Sequence, residues 1–72
     1  MVFECFPNPF SFSFTLAVEG AFSFEILDVQ GRVLDYGNGI DTLEVQTHVE
    51  TGEYILKIIQ GKKIIMTRLV KQ

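Results

Sequence analysis

The chain carries a single cysteine, Cys5, and a single histidine, His48. A thiolate activated by an imidazole is the first chemistry such a pair could offer. Nothing in the sequence marks a third group to orient the imidazole, and isolated residues of these types are ordinarily structural. Cys5 shares a two-residue period with Phe3 and reads as a small core hydrophobe. His48 stands beside a turn and reads as solvated surface. A lone cysteine also excludes an intrachain disulfide and any Cys-based metal site. A second constellation, Asp35-Tyr36-Gly37-Asn38-Gly39-Ile40-Asp41 with Glu44, spaces oxygen ligands around glycines as a hard cation such as Ca²⁺ requires. It matches neither the EF-hand spacing nor the calcium repeat of β-helices. Asn-Gly between strands is the commonest hairpin signal, so the segment is read as a turn. No Gly-rich loop opens a helix to cradle phosphate. The aromatic residues are scattered, without the basic stripe that accompanies base stacking. An independent enzyme lacks a constellation here, and no cofactor or small-molecule substrate is expected.

The elements that would position these residues repeat with a period of two nearly throughout. Val2 to Phe6 reads as a first strand, ended by Pro7-Asn8-Pro9, whose prolines remove two ladder donors. Phe12, Phe14, Leu16 and Val18 alternate with Ser13, Thr15 and Ala17 as a half-buried strand, and Glu19-Gly20 is a turn signal. Phe22, Phe24 and Ile26 mark a third strand. Asp28-Val29-Gln30-Gly31 has Asp at the first and Gly at the fourth position of a type I turn. Arg32 to Tyr36 returns, closed by Gly37-Asn38-Gly39, and Thr42 to Thr47 follows. Glu50-Thr51-Gly52 turns the chain into Tyr54 to Ile58. Gln60-Gly61-Lys62 is a hairpin tip before the last strand, Ile64 to Val70. Seven short strands at this spacing predict a small seven-stranded antiparallel β-sandwich, all-β in class. The predicted core is Phe12, Phe14, Leu16, Phe22, Phe24, Ile26, Leu43, Val45, Tyr54, Leu56 and Ile58, each set on one side of its strand. Ile55 and Ile59 fall out of that phase and Ile64 to Met66 is apolar on both faces, which predicts a partly uncovered apolar outer patch on the last hairpin, able to self-associate or dock.

Seventy-two residues make one domain, and one this short needs a core dense in apolar side chains. Hydrophobic residues are 47% of the chain and seven are Phe, which meets that need. The net charge of −3 argues against nucleic acid as a partner. All nine acids precede residue 54, whereas five of the six bases (Lys57, Lys62, Lys63, Arg68 and Lys71) lie from 57 onward. That asymmetry predicts charge pairing between strands, or a basic end aimed at an acidic surface. No stretch reaches the ~18 apolar residues of a membrane helix. The start, Met1-Val2-Phe3-Glu4, has no basic n-region, so no secretory signal peptide is expected there. The chain reads as a fragment whose export signal, if it is exported, lies upstream.

Several segments, in this order, resemble one family. Phe6-Pro7-Asn8-Pro9-Phe10 resembles its opening Y/F-PNP motif. Phe24 to Val33, with Asp28, Gly31 and Arg32, resembles its V-x-I-y-D-x-x-G-R/K-x-V hairpin. Val49 to Ile58, with Gly52 and Tyr54, resembles its L-x-x-G-x-Y-x-x-x-I segment. Gly61-Lys62-Lys63 and the closing Arg68-Leu69-Val70-Lys71-Gln72 resemble its Gly turn and its basic, apolar end. The family is the C-terminal sorting domain of type IX secretion cargo in the Bacteroidetes. Val49 stands where Leu is usual, Glu50-Thr51 replaces Pro-Ala, and Glu53 is more polar than the family residue.

The resemblance implies an immunoglobulin-like fold that passes through the periplasm fused behind an upstream cargo domain. It implies recognition by the outer-membrane translocon, for which Lys62, Lys63, Arg68, Leu69, Val70 and Lys71 are the candidates. It also implies removal by a sortase-like peptidase, leaving the cargo extracellular or on the cell surface. A reading from another class remains beside it: an accessory β-sandwich that binds carbohydrate or another surface ligand next to a catalytic domain.

Overall fold

A computed structural model describes residues 2–72 and contains five β-strands, with no helix among the described residues. They are β1 (Phe3–Phe6), β2 (Ser13–Leu27), β3 (Val33–Gln46), β4 (Gly52–Gln60) and β5 (Lys63–Lys71). All strand pairings are antiparallel and belong to one sheet, so the all-β antiparallel expectation holds. The strand count does not. Five strands stand where seven were predicted, because two sequences read as turns do not reverse the chain. Glu19-Gly20 lies within β2, and Gly37-Asn38-Gly39 lies within β3.

The physical reason lies in where these two segments meet. β2 and β3 pair along nearly their whole length, but the register jumps between Val18 and Ala21 on β2 while β3 passes directly from Asp41 to Ile40. Glu19 and Gly20 are therefore two extra residues bulged out of the ladder, which bends and twists the ribbon without ending it. Gly20 takes φ +89° there, and Asp41 opposite takes φ +63°. The backbone groups freed by the bulge find side-chain partners. Asp41 Oδ1 accepts from the Gly20 N–H at 2.9 Å. Gln60 Nε2 donates to the carbonyls of Glu19 at 2.6 Å and Ala21 at 3.2 Å. Because two residues are inserted, the side-chain phase is conserved: Phe14, Leu16 and Val18 before the bulge, and Phe22, Phe24 and Ile26 after it, all enter the same core.

Gly37 and Gly39 also have a packing role. They sit directly across from Phe24 and Phe22 on the inward phase of β3. A Cβ at Gly37 would lie 2.8 Å from Phe24 Cε1, and one at Gly39 would lie 2.7 Å from Phe22 Cζ. The two glycines leave the space those rings occupy.

β2 is the hub of the sheet. β3 takes one of its edges, while β1 and β4 share the other, β1 against Thr15–Val18 and β4 against Ser23–Leu27. β5 pairs with β4. The sheet then curls until β5 reaches back to the β1–β2 connection, where Phe10 makes a parallel bridge with Lys71. Inside the curl lie Phe10, Phe14, Leu16, Val18, Phe22, Phe24, Ile26, Val45, Leu56, Ile58 and Leu69, with Phe3, Cys5, Leu43 and Tyr54 packed against them. The predicted core is recovered except for Phe12, which is 87% exposed. The strand begins one residue later than its alternation implied, so Phe12 falls in the bend before it and Phe10 fills the core instead.

Candidate functional site

The first and last motifs of the sequence meet in one place. Pro7-Asn8-Pro9 leaves β1, with the Phe6–Pro7 and Asn8–Pro9 peptides both cis. Neither proline has an N–H to offer, so the side chain of Asn8 pairs with the free edge of β5. Its Nδ2 donates to the Arg68 carbonyl at 2.8 Å, and its Oδ1 accepts from the Val70 N–H at 3.0 Å. A primary amide has one donor side and one acceptor side, so it can stand in for a peptide group of a neighbouring strand. Two residues on, the main chain takes over: the Phe10 N–H donates to Val70 O at 2.9 Å, and the Gln72 N–H donates to Phe10 O at 2.8 Å. The Phe10 ring is buried and meets Phe14 edge-to-face at 4.9 Å, which anchors the clasp in the core. Spacing in the sequence did not reveal that Asn8 and residues 68–72 are partners.

The other motif residues each hold a turn. Asp28 Oδ1 accepts from the N–H groups of Gln30 and Arg32, each at 2.9 Å, and Oδ2 takes the Arg32 Nε at 2.6 Å. Gly31, at φ +89° with open space around it, serves this turn by conformation alone. The Arg32 backbone N–H is the largest cause holding the Asp28 carboxyl below its ordinary range. Desolvation opposes it, and the Arg32 guanidinium and the Gln30 N–H add to the lowering. Gly52 opens β4, and two residues later the Tyr54 hydroxyl donates back to the carbonyl of Glu50. Gly61 sits at the tip between β4 and β5.

The six translocon candidates are divided by their positions. Lys62 and Lys63 are exposed at the hairpin tip. Arg68, Leu69, Val70 and Lys71 lie in the far half of the nine-residue β5, from roughly 17 Å (Arg68) to roughly 26 Å (Lys71) beyond Lys63 at ~3.3 Å per residue. The basic end is therefore two separate clusters. Leu69 is fully buried and acts through the core, and Val70 is held by the clasp. Arg68 is exposed and pairs with Glu53 on β4. Lys57 pairs with Glu25 at 3.7 Å. Charge pairing between strands thus absorbs two of the late bases, while Lys62, Lys63 and Lys71 make no ion pair among the described residues.

The chemistry weighed at the outset is not assembled. Cys5 lies opposite Leu16, and Leu16 lies opposite Leu43, so two strand widths and several residues of β3 separate the thiol from His48. Burial pushes the Cys5 thiol up to about 11, away from reactivity, while His48 is exposed. In the Asp35–Asp41 segment, Asp35 accepts from the Tyr36 N–H and Asp41 is engaged with Gly20. No cluster of three or more metal-binding side chains occurs among the described residues. A surface depression of about 770 Å³ is lined by Ala21, Phe22, Ser23, Gly39, Ile40 and Ile59 among others. On the last hairpin Ile64 and Met66 are 56% and 58% exposed while Ile55, Ile59 and Ile65 are half-buried, so the predicted outer patch is uncovered in part.

A family model described as "Secretion system C-terminal sorting domain" matches residues 4–72. No curated protein matches the chain.

Proposed function

Since the chain belongs to the type IX secretion C-terminal sorting domain family, we propose that it is the export signal of an upstream cargo protein, read in the periplasm by the outer-membrane translocon. A sortase-like peptidase then removes it, and the cargo is left outside the cell or on its surface. The observation that carries this reading is the match across residues 4–72, together with the clasp that joins its two ends. In this chain Asn8 of the Pro-Asn-Pro motif is hydrogen-bonded to the C-terminal residues, so a signal at the end of the chain would rely on the start of the domain for its conformation. An immunoglobulin-like sandwich is the fold we assign within the observed antiparallel class. It is supported by the Tyr54 hydroxyl bonding back to the Glu50 backbone, as in the tyrosine corner of that architecture.

Lys62 and Lys63 at the tip, and Lys71 at the clasp, are the charges left over for a partner. The test fuses the domain behind a periplasmic reporter in a type IX-competent bacterium. Export of the reporter is expected. Deleting Arg68 to Gln72 would remove Leu69 from the core and unfold the domain, so the informative variant is Lys62→Gln/Lys63→Gln/Lys71→Gln. Exposed charges contribute little to stability, so its fold should stay within about 1 kcal/mol of the parent. Reduced export of that folded variant places recognition on the lysines. Undiminished export places it on the shape of the domain. Retention of the unaltered fusion in the periplasm overturns the sorting reading and favours an accessory binding module.

A further inference from the structure

Besides the four-residue β1, whose outer edge carries Glu4 as its one charge, the sheet ends in two long free edges of opposite charge. β3 pairs only with β2, so its other edge is open along the strand. It carries Asp35, Asp41 and Glu44 and no base. β5 pairs with β4, and its open edge is covered only from Arg68 onward, where Asn8 and Phe10 attach. The uncovered stretch is bounded by Lys62 and Lys63 on one side and Arg68 on the other.

The groups facing outward on each edge can be assigned. Val70 offers both its N–H and its C=O to the clasp, so the even residues of β5, including Ile64 and Met66, turn their peptide groups to the open edge. Carried through the register from β5 to β4 to β2 (Ile65↔Ile58, Lys57↔Glu25, Phe24↔Gly37), the same alternation turns Asp35, Gly37 and Gly39 of β3 to β2 and the even residues between them to the open edge, where the Tyr36 N–H meets the Asp35 carboxylate at 2.8 Å. In both strands these same residues present exposed apolar side chains on the outer face: Ile64 and Met66 on β5, Tyr36 and Ile40 on β3.

We infer that a second copy of this chain adds to the sheet, the β5 edge of one molecule pairing with the β3 edge of the next. Three observations select this mode. The path β3-β2-β4-β5 contains four antiparallel strands, so a second copy placed side by side in the same orientation meets β5 antiparallel and keeps the outer faces continuous. A register with Met66 opposite Ile40 joins two residues that both point to the edge, and it brings Lys62 and Lys63 alongside Asp41 and Glu44. The symmetric alternatives set like charges together, acids on acids for β3 with β3 and bases on bases for β5 with β5, which is unfavourable across a strand pair. The contact is heterologous, so association is open-ended unless the twist of the sheet closes it into a ring.

Sedimentation velocity of the free domain tests this. The parent is expected to gain mass with concentration, and to lose that gain in high salt, where exposed charge pairs are screened. Lys62→Glu/Lys63→Glu makes both edges acidic, and Thr42→Lys/Glu44→Lys adds bases to the β3 edge. Each variant alone is expected to stay monomeric, and an equimolar mixture is expected to recover assemblies in which the two variants alternate, since each junction then pairs an acidic edge with a basic one. Met66→Pro removes an N–H that faces the open edge and not β4, so the fold should persist by circular dichroism while association is lost. A parent that is monomeric at every concentration overturns the proposal. So does association that survives edge charge reversal, or a folded Met66→Pro variant that still assembles. Should Met66→Pro fail to fold, the two charge variants and their mixture decide alone.

Discussion

Replacing Gly39 with Ala separates the two ways of reading the Gly37-Asn38-Gly39 segment. Were it a surface turn with free space, or an exposed strand position, adding a methyl would restrict the unfolded chain and stabilise the protein by about 0.4–1 kcal/mol. The structure gives the opposite sign. The new Cβ would sit 2.7 Å from Phe22 Cζ, 2.9 Å from Leu43 Cβ and 3.1 Å from Phe22 Cε1. Carbon atoms prefer a separation of about 3.5–4.0 Å, so both neighbours must give by the better part of an ångström. Phe22 is buried and Leu43 is packed against the core, so neither can swing into solvent. Overpacking of this kind costs about 1–3 kcal/mol. Taking the middle of that range and subtracting the entropic gain leaves a net loss of about 1–2 kcal/mol. For a domain of 72 residues each kcal/mol moves the midpoint by roughly 4–8 °C, so Tm should fall by about 5–15 °C. Thermal and urea denaturation followed by circular dichroism measure it. The companion variant Phe22→Leu removes the atoms that the methyl meets. Combined with Gly39→Ala it should cost about 1 kcal/mol less than the sum of the single changes. A Gly39→Ala protein as stable as the parent, or an additive double variant, refutes the account of the ring lying over the glycine backbone.

The clasp, the acid limb and the core boundary each give a further expectation. Asn8→Ala loses two hydrogen bonds, so stability should drop by about 1–2 kcal/mol, and amide exchange should accelerate first at Val70 rather than in β2. Asp28 has a folded pKa below its ordinary 3.8, so its contribution is fully present above that value and is lost as pH falls through the folded pKa. Melting temperatures between pH 7 and pH 2, in the parent and in Asp28→Asn, should show a shallower acid decline for the variant. Phe24→Ala should cost about 3–5 kcal/mol, whereas Phe12→Ala should stay within about 0.5 kcal/mol. Equal effects in chemical denaturation would contradict the placement of Phe12 outside the core.

By itself the sequence determined the class and the inward phase of β2, of β4 and of the second half of β3, but not that of β5, whose Leu69 is a core residue. A two-residue period is a local property, so Phe14, Leu16, Phe22, Phe24, Ile26, Val45, Leu56 and Ile58 could be assigned to the core without knowing which strands pair. The Asp28–Gly31–Arg32 and Gly61 turns were legible for the same reason, since their partners lie within a few residues. Only the tertiary structure decided whether a glycine reverses the chain or bends it. Glu19-Gly20 becomes a bulge because Gln60 and Asp41, from distant strands, satisfy the backbone groups it frees, and Gly37 and Gly39 stay extended because two rings lie across them. The partnership of Asn8 with Arg68 and Val70 was hidden likewise, since contacts sixty residues apart leave no trace in local spacing. So was the division of the basic end into two clusters, because a run of like charges in sequence is drawn out along an extended strand.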